Sequence, residues 1–115
     1  MTKHLIFVAF VFAALLSLPA HAAKTYTPEQ LRKMVYSGKP PKQGSPTTQT
    51  QSMSFGACVA KVNAVVDSVK AQYPTKIIVQ TKILHMAKVW TNDGAMTLSC
   101  SQPDGKLVIT NAKYL

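Results

Sequence analysis

Acidic residues are scarce in this chain. Its 115 residues include four carboxylates against 13 lysines and arginines, which gives a formal net charge of +9. The carboxylates are Glu29, Asp67, Asp93 and Asp104, and each fits a helix start, a helix surface or a turn. Hydrolytic enzymes need a base, nucleophile or metal oriented by a second group. The sequence therefore predicts that the protein is not an enzyme.

Histidine is also rare, and the motifs that hold cofactors are missing. His4 and His21 lie in the N-terminal segment, which leaves His85 as the one candidate base or ligand in the rest of the chain. Zinc usually takes three or four protein ligands, and the sequence contains no Gly-x-Ser-x-Gly, phosphate loop or dinucleotide fingerprint. We expect no metal and no cofactor. A small hydrolase that uses His85 is the least favoured alternative.

A long hydrophobic run occurs once, at the N-terminus. Lys3 precedes the apolar stretch Leu5–Leu18, and Pro19 and the small residues of Ala20-His21-Ala22 follow it. This pattern is typical of a secretory signal peptide, here cleaved after Ala22, and the run is too short to span a bilayer. The sequence predicts a signal peptide over residues 1–22, a periplasmic location and no membrane span.

The chain has two cysteines, Cys58 and Cys100. In an oxidising compartment two distant thiols are expected to form a disulfide. A disulfide that closes the loop from Cys58 to Cys100 stabilises the folded state by about 4 kcal/mol in the chain-entropy model. A redox pair or metal ligands are the alternative, although redox motifs usually place their cysteines close together.

The sequence predicts a short helix followed by a flexible linker over residues 23–51. Thr27 and Gln30 form a capping-box pattern, and Pro28 fits the first helical position. Lys39–Gln51 has no periodicity and is rich in Pro, Gly, Thr and Gln, which favours a solvated linker. This linker either connects the helix to the core or lets the helix reach a partner.

The sequence predicts an α+β domain over residues 52–115. An amphipathic helix over Phe55–Tyr73 carries Cys58 on its apolar stripe. Lys76–Trp90 is interpreted as one long strand with a bulge or bend near Leu84–Met86, because fifteen residues would span about 50 Å. Two hairpin turns then lead to strands at Ala95–Ser101 and Lys106–Asn111. The predicted fold is one helix packed on a three-stranded antiparallel meander, tied by one disulfide and preceded by the short helix and linker.

One face of the long strand is a candidate partner contact. Alternation turns Ile77, Val79 and Ile83 towards the helix and places an apolar face with interspersed lysines on the other side, a composition that suits a protein contact. The N-terminal helix either folds back over this face, the interpretation that we prefer, or docks on a partner. The outer strands also have free edges that accept a partner strand. The candidate contact residues are Leu84, Met86, Trp90, Lys82, Lys88, Leu31 and Met34.

The positive charge favours acidic partners such as anionic lipid, nucleic acid or an acidic protein surface. The lysines are spread singly, however, and Arg32-Lys33 is the one cluster. Without an aromatic-basic module no nucleic-acid partner is expected. A weak contact with an anionic surface remains open.

Several strings occur together in the chain: Thr-Pro-Glu-Gln-Leu-Arg-Lys-Met-Val from Thr27, Ser-Phe-x-x-Cys from Ser54, Val-Trp-Thr-Asn-Asp-Gly from Val89, and Ser-Cys-Ser-x-Pro-Asp-Gly-Lys-Leu-Val-Ile-Thr from Ser99. With these strings the chain resembles small exported proteins encoded beside conjugative type IV secretion genes on bacterial plasmids. The resemblance implies a Gram-negative periplasm and a role near a transfer apparatus. We therefore expect a non-enzymatic periplasmic interaction protein whose partner is an envelope or secretion-system protein. The alternative is a host-killing or exclusion factor that is encoded by a mobile element and acts on the envelope.

Overall fold

The computed structural model describes residues 24–115, so the signal peptide predicted over residues 1–22 lies outside the described residues. These residues form two helices and five strands, and the strands form one antiparallel sheet in the order β1-β5-β4-β3-β2. The α+β class, the antiparallel sheet and the disulfide are confirmed. The elements in chain order are α1 (Pro28–Tyr36), β1 (Thr47–Ser52), α2 (Phe55–Val69), β2 (Thr75–Gln80), β3 (Leu84–Thr91), β4 (Gly94–Ser101) and β5 (Lys106–Lys113).

Helix α2 covers one face of the sheet. Its N-cap is Ser54, whose side chain accepts a hydrogen bond from the backbone N–H of Ala57. Three buried side chains follow at spacings of four residues, Cys58, Val62 and Val66, which places them on one side of the helix. They pack against buried residues of the three central strands, namely Ala87, Val89, Leu98, Cys100 and Leu107.

The disulfide joins this helix to the sheet. Cys58 in α2 is bonded to Cys100 in β4, with 42 residues of sequence separation, and both cysteines are almost fully buried. The predicted bridge is thereby confirmed. The helix ends at Val69, one turn before the predicted end at Tyr73.

Helix α1 covers part of the opposite face. Its N-terminus has a reciprocal capping box, in which Thr27 Oγ1 accepts from the N–H of Gln30 at 3.1 Å and Gln30 Oε1 accepts from the N–H of Thr27 at 2.9 Å. Leu31 is fully buried in a second cluster with Trp90, Ala95 and Tyr114. Two elements distant in sequence therefore meet on this side of the sheet.

The predicted long strand over Lys76–Trp90 is wrong, because this segment forms a hairpin of β2 and β3. The connection is stabilised by Thr81, whose Oγ1 accepts a hydrogen bond from the N–H of Leu84 at 2.9 Å. Threonine hydroxyls favour turns by this local bonding. The irregularity expected near Leu84–Met86 lies instead in β2, where the pairing shifts between Ile77 and Val79.

The predicted flexible linker is also wrong over part of its length. Thr47–Ser52 is strand β1, which pairs with β5 along all six residues although every one of its side chains is exposed. Before it, the N–H of Gly44 donates to Lys113 O at 2.7 Å. Backbone pairing therefore holds this segment, and apolar burial does not. With β1 and β2 added, the predicted three-stranded meander becomes a five-stranded sheet.

Candidate interaction surface

Strand β2 forms one free edge of the sheet and displays apolar side chains to solvent. Five large hydrophobic side chains are exposed in residues 24–115, and three of them lie in β2 or the turn that follows it: Ile77 at 41% and Ile78 at 45% on the strand, and Ile83 at 54% in the turn. Lys76 and Lys82 are exposed beside them. We call these five residues the β2-edge surface. Isolated exposed apolar residues are ordinary, but a cluster of them at an edge strand is typical of an interaction site.

Hydrogen bonds at both ends of the hairpin fix which backbone groups of β2 face outwards. At one end the N–H of Trp90 donates to Pro74 O at 3.1 Å, and at the other the N–H of Thr81 donates to Leu84 O at 2.8 Å. Along a strand of an antiparallel pair, the N–H and C=O groups of successive residues point alternately towards the paired strand and away from it. The N–H and C=O groups of Thr75, Ile77 and Gln80 therefore point away from β3, towards the free edge.

The surroundings of this edge are cationic. Lys76 lies directly opposite Lys88 of β3 in the sheet register, and like charges in that position destabilise a sheet. Residues 68–92 contain four lysines and no acidic residue. Within residues 24–115 the one ion pair joins Lys70 to Asp67 at 2.9 Å, on α2. No carboxylate of the described chain neutralises the lysines of β2 and β3.

Lys88 is held by neutral groups. Its Nζ donates to Gln43 Oε1 at 2.6 Å and lies 5.3 Å from the ring centroid of Trp90, a distance typical of a cation–π contact. Desolvation by burial lowers the pKa of Lys88 below its ordinary value. An amide oxygen and an aromatic ring thus stabilise a charge that has no acidic partner.

The opposite free edge, β1, has a different character. Its six residues are Thr, Gln and Ser, all exposed, and Lys61 Nζ donates to Gln51 Oε1 at 3.2 Å beside it. The strand offers outward backbone groups but no apolar side chain. It is therefore a natural internal comparison for the β2-edge surface.

The contact residues predicted from the sequence do not form one open surface. Leu31 is fully buried and Trp90 is 5% exposed, and both pack in the cluster with Ala95 and Tyr114 rather than facing solvent. Leu84, Met86 and Lys88 are half-buried on β3, and Met34 is half-buried on α1. Lys82 is exposed and belongs to the β2-edge surface.

His85 lies in the interior between α2 and the sheet. It is 2% exposed, its Nε2 pairs with Asn63 Oδ1 at 3.1 Å, and it stands opposite Cys100 in the register. Across residues 24–115, no group of three or more His, Cys, Asp or Glu side chains is placed to hold a metal ion. The side chain is therefore accounted for by packing and one hydrogen bond.

A cleft of about 460 Å³ lies where the β3–β4 turn approaches the C-terminal residues. Its lining includes one carboxylate, Asp93, together with Lys113, Thr91 and Asn111, and it contains no histidine. The hydroxyl of Thr91 lies 3.5 Å from Asp93 Oδ1 and 3.0 Å from Gly94 O, and the first distance is longer than the about 2.6–3.2 Å that joins an activated nucleophile to its base.

The sequence pattern does not reveal the β2-edge surface, because it predicts that Ile77 and Ile83 lie on the core-facing side of one long strand. The available signal was the improbable length of that strand, about 50 Å for fifteen residues. A turn near its middle would have exposed a second free edge.

No protein-family model, curated protein or solved structure matches this chain.

Proposed function

We propose that this chain is a non-enzymatic interaction protein of the periplasm, accessory to a cell-envelope or conjugative transfer system, and that the β2-edge surface contacts its protein partner. The observation that carries the proposal is the concentration of exposed apolar side chains at one edge of the sheet, with Ile77 and Ile78 on the edge strand β2 and Ile83 in the turn that follows it. Apolar side chains that stay in solvent cost free energy. A partner that covers them offsets that cost.

Two observations support a binding role rather than catalysis. His85, the candidate base, is enclosed between helix and sheet and paired with Asn63. The exposed functional groups of the β2-edge surface are two lysines and apolar side chains, which suit recognition of another protein. The mechanism is therefore association, in which isoleucines are buried and lysines steer an acidic partner.

The disulfide supports a location outside the cytoplasm. Cys58 and Cys100 are joined in the core, and such bonds persist in oxidising compartments. The signal-peptide pattern of residues 1–22 points the same way. No helix within residues 24–115 has the length and apolar character needed to cross a membrane. The resemblance to exported proteins encoded with transfer genes adds the conjugative apparatus as the place to search for a partner.

Site-specific photo-cross-linking in living cells tests this function. The full chain would be expressed in cells that carry the transfer system, with a photoreactive residue in place of Ile78 or, as a matched control, in place of Thr50 on the β1 edge. We expect an adduct with an envelope protein from position 78 and none from position 50. Equal adducts at both positions, or none at either, would contradict the proposal. Unchanged transfer after deletion of the gene would contradict the accessory role.

A further inference from the structure

We infer that the β2 edge binds by strand addition: an extended segment of the partner joins the sheet as a sixth strand, and that segment carries acidic residues beside apolar ones. The inference rests on the proposed function, since it names how that surface recognises its partner. It follows from three observations on β2, namely its free backbone groups, its exposed side chains and its charge.

The backbone supplies the first step. Thr75, Ile77 and Gln80 turn their N–H and C=O groups away from β3, as the hydrogen bonds at Pro74 and Thr81 require. Thr75 and Ile77 are two residues apart, which matches the spacing at which an antiparallel strand forms paired hydrogen bonds. The register shift between Ile77 and Val79 interrupts this spacing. The added strand is therefore short and pairs mainly before the shift.

The side chains supply the second step. Ile77 and Ile78 are each exposed by more than two fifths, and Val79 beside them is half-buried and pairs with Met86. A strand laid along this edge would cover the isoleucines from the side that solvent now occupies. Binding by strand addition draws its affinity from backbone hydrogen bonds and its specificity from alternate side chains. The apolar residues of the partner would lie next to these isoleucines.

The charge decides between a second copy and a different partner. Lys76, Lys82 and Lys88 line the hairpin, and residues 68–92 contain no acidic residue. Two copies paired through β2 would bring six lysines together, and the sheet already places Lys76 opposite Lys88. Lysines and irregular pairing on an edge are the devices by which natural sheets prevent self-association. An acidic segment instead neutralises these cations.

Amide chemical-shift changes of the isotope-labelled exported protein test the inference directly. The probes are three capped peptides: Glu-Val-Thr-Val-Glu, the same peptide with both valine amides N-methylated, and Lys-Val-Thr-Val-Lys. We expect the first peptide to shift the amides of Thr75–Gln80 far more than those of Thr47–Ser52. Methylation removes backbone donors and should weaken binding by about tenfold or more, given the cost of lost hydrogen bonds. Raising the salt from about 50 to about 500 mM should weaken it as well.

Charge reversal supplies a matched pair of variants. Lys76→Glu changes the β2 edge, whereas Lys106→Glu changes an exposed lysine at the other side of the sheet, opposite Ser52 of β1. We expect Lys76→Glu to lose the acidic peptide and to gain the lysine peptide, and Lys106→Glu to behave as the wild type. Unaltered heteronuclear spectra away from the substitution would show that both variants fold.

Several results would overturn strand addition. They are an absence of shifts at Thr75–Gln80, equal shifts at β1, equal binding of the methylated peptide, and equal binding of the lysine peptide. A concentration-dependent dimer through β2 without peptide would replace the acidic segment by a second copy. The two proposals also fail separately. Cross-links to an envelope protein with no peptide effect would leave the proposed function standing, and peptide binding with no envelope partner would leave the strand addition standing.

Discussion

Replacing Tyr114 with phenylalanine removes one buried hydroxyl and leaves the ring in place. The side chain is fully buried beside Leu31 and Trp90. Its hydroxyl lies 2.7 Å from Thr91 O and 3.0 Å from Gly94 O, so it ties the end of the chain to the β3–β4 turn. Gly94 O keeps the hydroxyl of Thr91 at 3.0 Å. We therefore expect Tyr114→Phe to lower the free energy of unfolding by about 1–2 kcal/mol at neutral pH.

The same substitution changes the response to alkaline pH. Burial raises the pKa of Tyr114 above its ordinary value of 10.0, and the charge of Asp93 and the nearby phenols of Tyr26 and Tyr73 raise it further. Above about pH 10 the unfolded chain loses this proton while the folded chain keeps it, so wild-type stability falls by up to about 1.4 kcal/mol per pH unit. The phenylalanine variant lacks this loss. Because burial lowers the pKa of Lys88, that group acts in the opposite direction, but it is common to both proteins and cancels in their difference.

The difference in the free energy of unfolding between the two proteins should therefore shrink above about pH 10, vanish at about pH 11 and then change sign. Urea unfolding followed by the fluorescence of Trp90, the one tryptophan of the chain, measures it at each pH, with equal slopes required for the comparison. Tyr36→Phe is the matched control, because Tyr36 is 67% exposed. Parallel alkaline curves for wild type and Tyr114→Phe would refute the linkage. Equal stability at neutral pH would refute the hydrogen-bond argument.

Three further predictions concern the disulfide, the packing of α1 and the β3–β4 turn. Reduction of the Cys58–Cys100 bridge, which closes a separation of 42 residues, should lower the free energy of unfolding by about 4 kcal/mol in the chain-entropy model; an unchanged urea midpoint in reductant would contradict it. Leu31→Ala should cost about 2–5 kcal/mol because Leu31 is fully buried against Trp90, and a red-shifted tryptophan emission would report that α1 has loosened. Gly94→Ala should destabilise the protein by about 1–3 kcal/mol, since the new Cβ would lie 2.7 Å from a backbone oxygen of β5. An alanine variant with the wild-type thermal midpoint would show that β5 moves aside at little cost.

The part of the fold that could be predicted from the sequence is the part with strong local signals. Cys58 lies on the apolar stripe of α2, so the period of the helix and the pairing of the cysteines pointed to the same packed face. Glycine marked the β4–β5 turn, where Gly105 has a positive φ of 60°, and the β3–β4 turn before Gly94. Gly105 adopts a conformation that few other residues accommodate, and a Cβ at position 94 would lie 2.7 Å from Ala112 O.

The parts that could not be predicted lack such signals. Thr47–Ser52 has no apolar periodicity because both of its faces are exposed, and its partner β5 lies about sixty residues further along the chain. The β2–β3 turn contains neither glycine nor proline, and the hydroxyl of Thr81 takes their place through short local hydrogen bonds. In both cases the deciding interaction is a backbone or hydroxyl hydrogen bond. The pattern of apolar and polar residues does not indicate such hydrogen bonds.

The missed turn also explains why the candidate surface could not be located from the sequence. The alternation of apolar and polar residues predicts which face of the strand Ile77 lies on. It does not indicate whether a neighbouring element covers that face. Once the chain reverses at Thr81, β2 becomes an outer strand, and α2 contacts the central strands more than this edge. Ile77, Ile78 and Ile83 are then left in solvent by topology and not by sequence pattern. A long apolar strand with lysines at its ends is therefore as consistent with an exposed binding edge as with a core strand, and the deciding fact is the position of the turn.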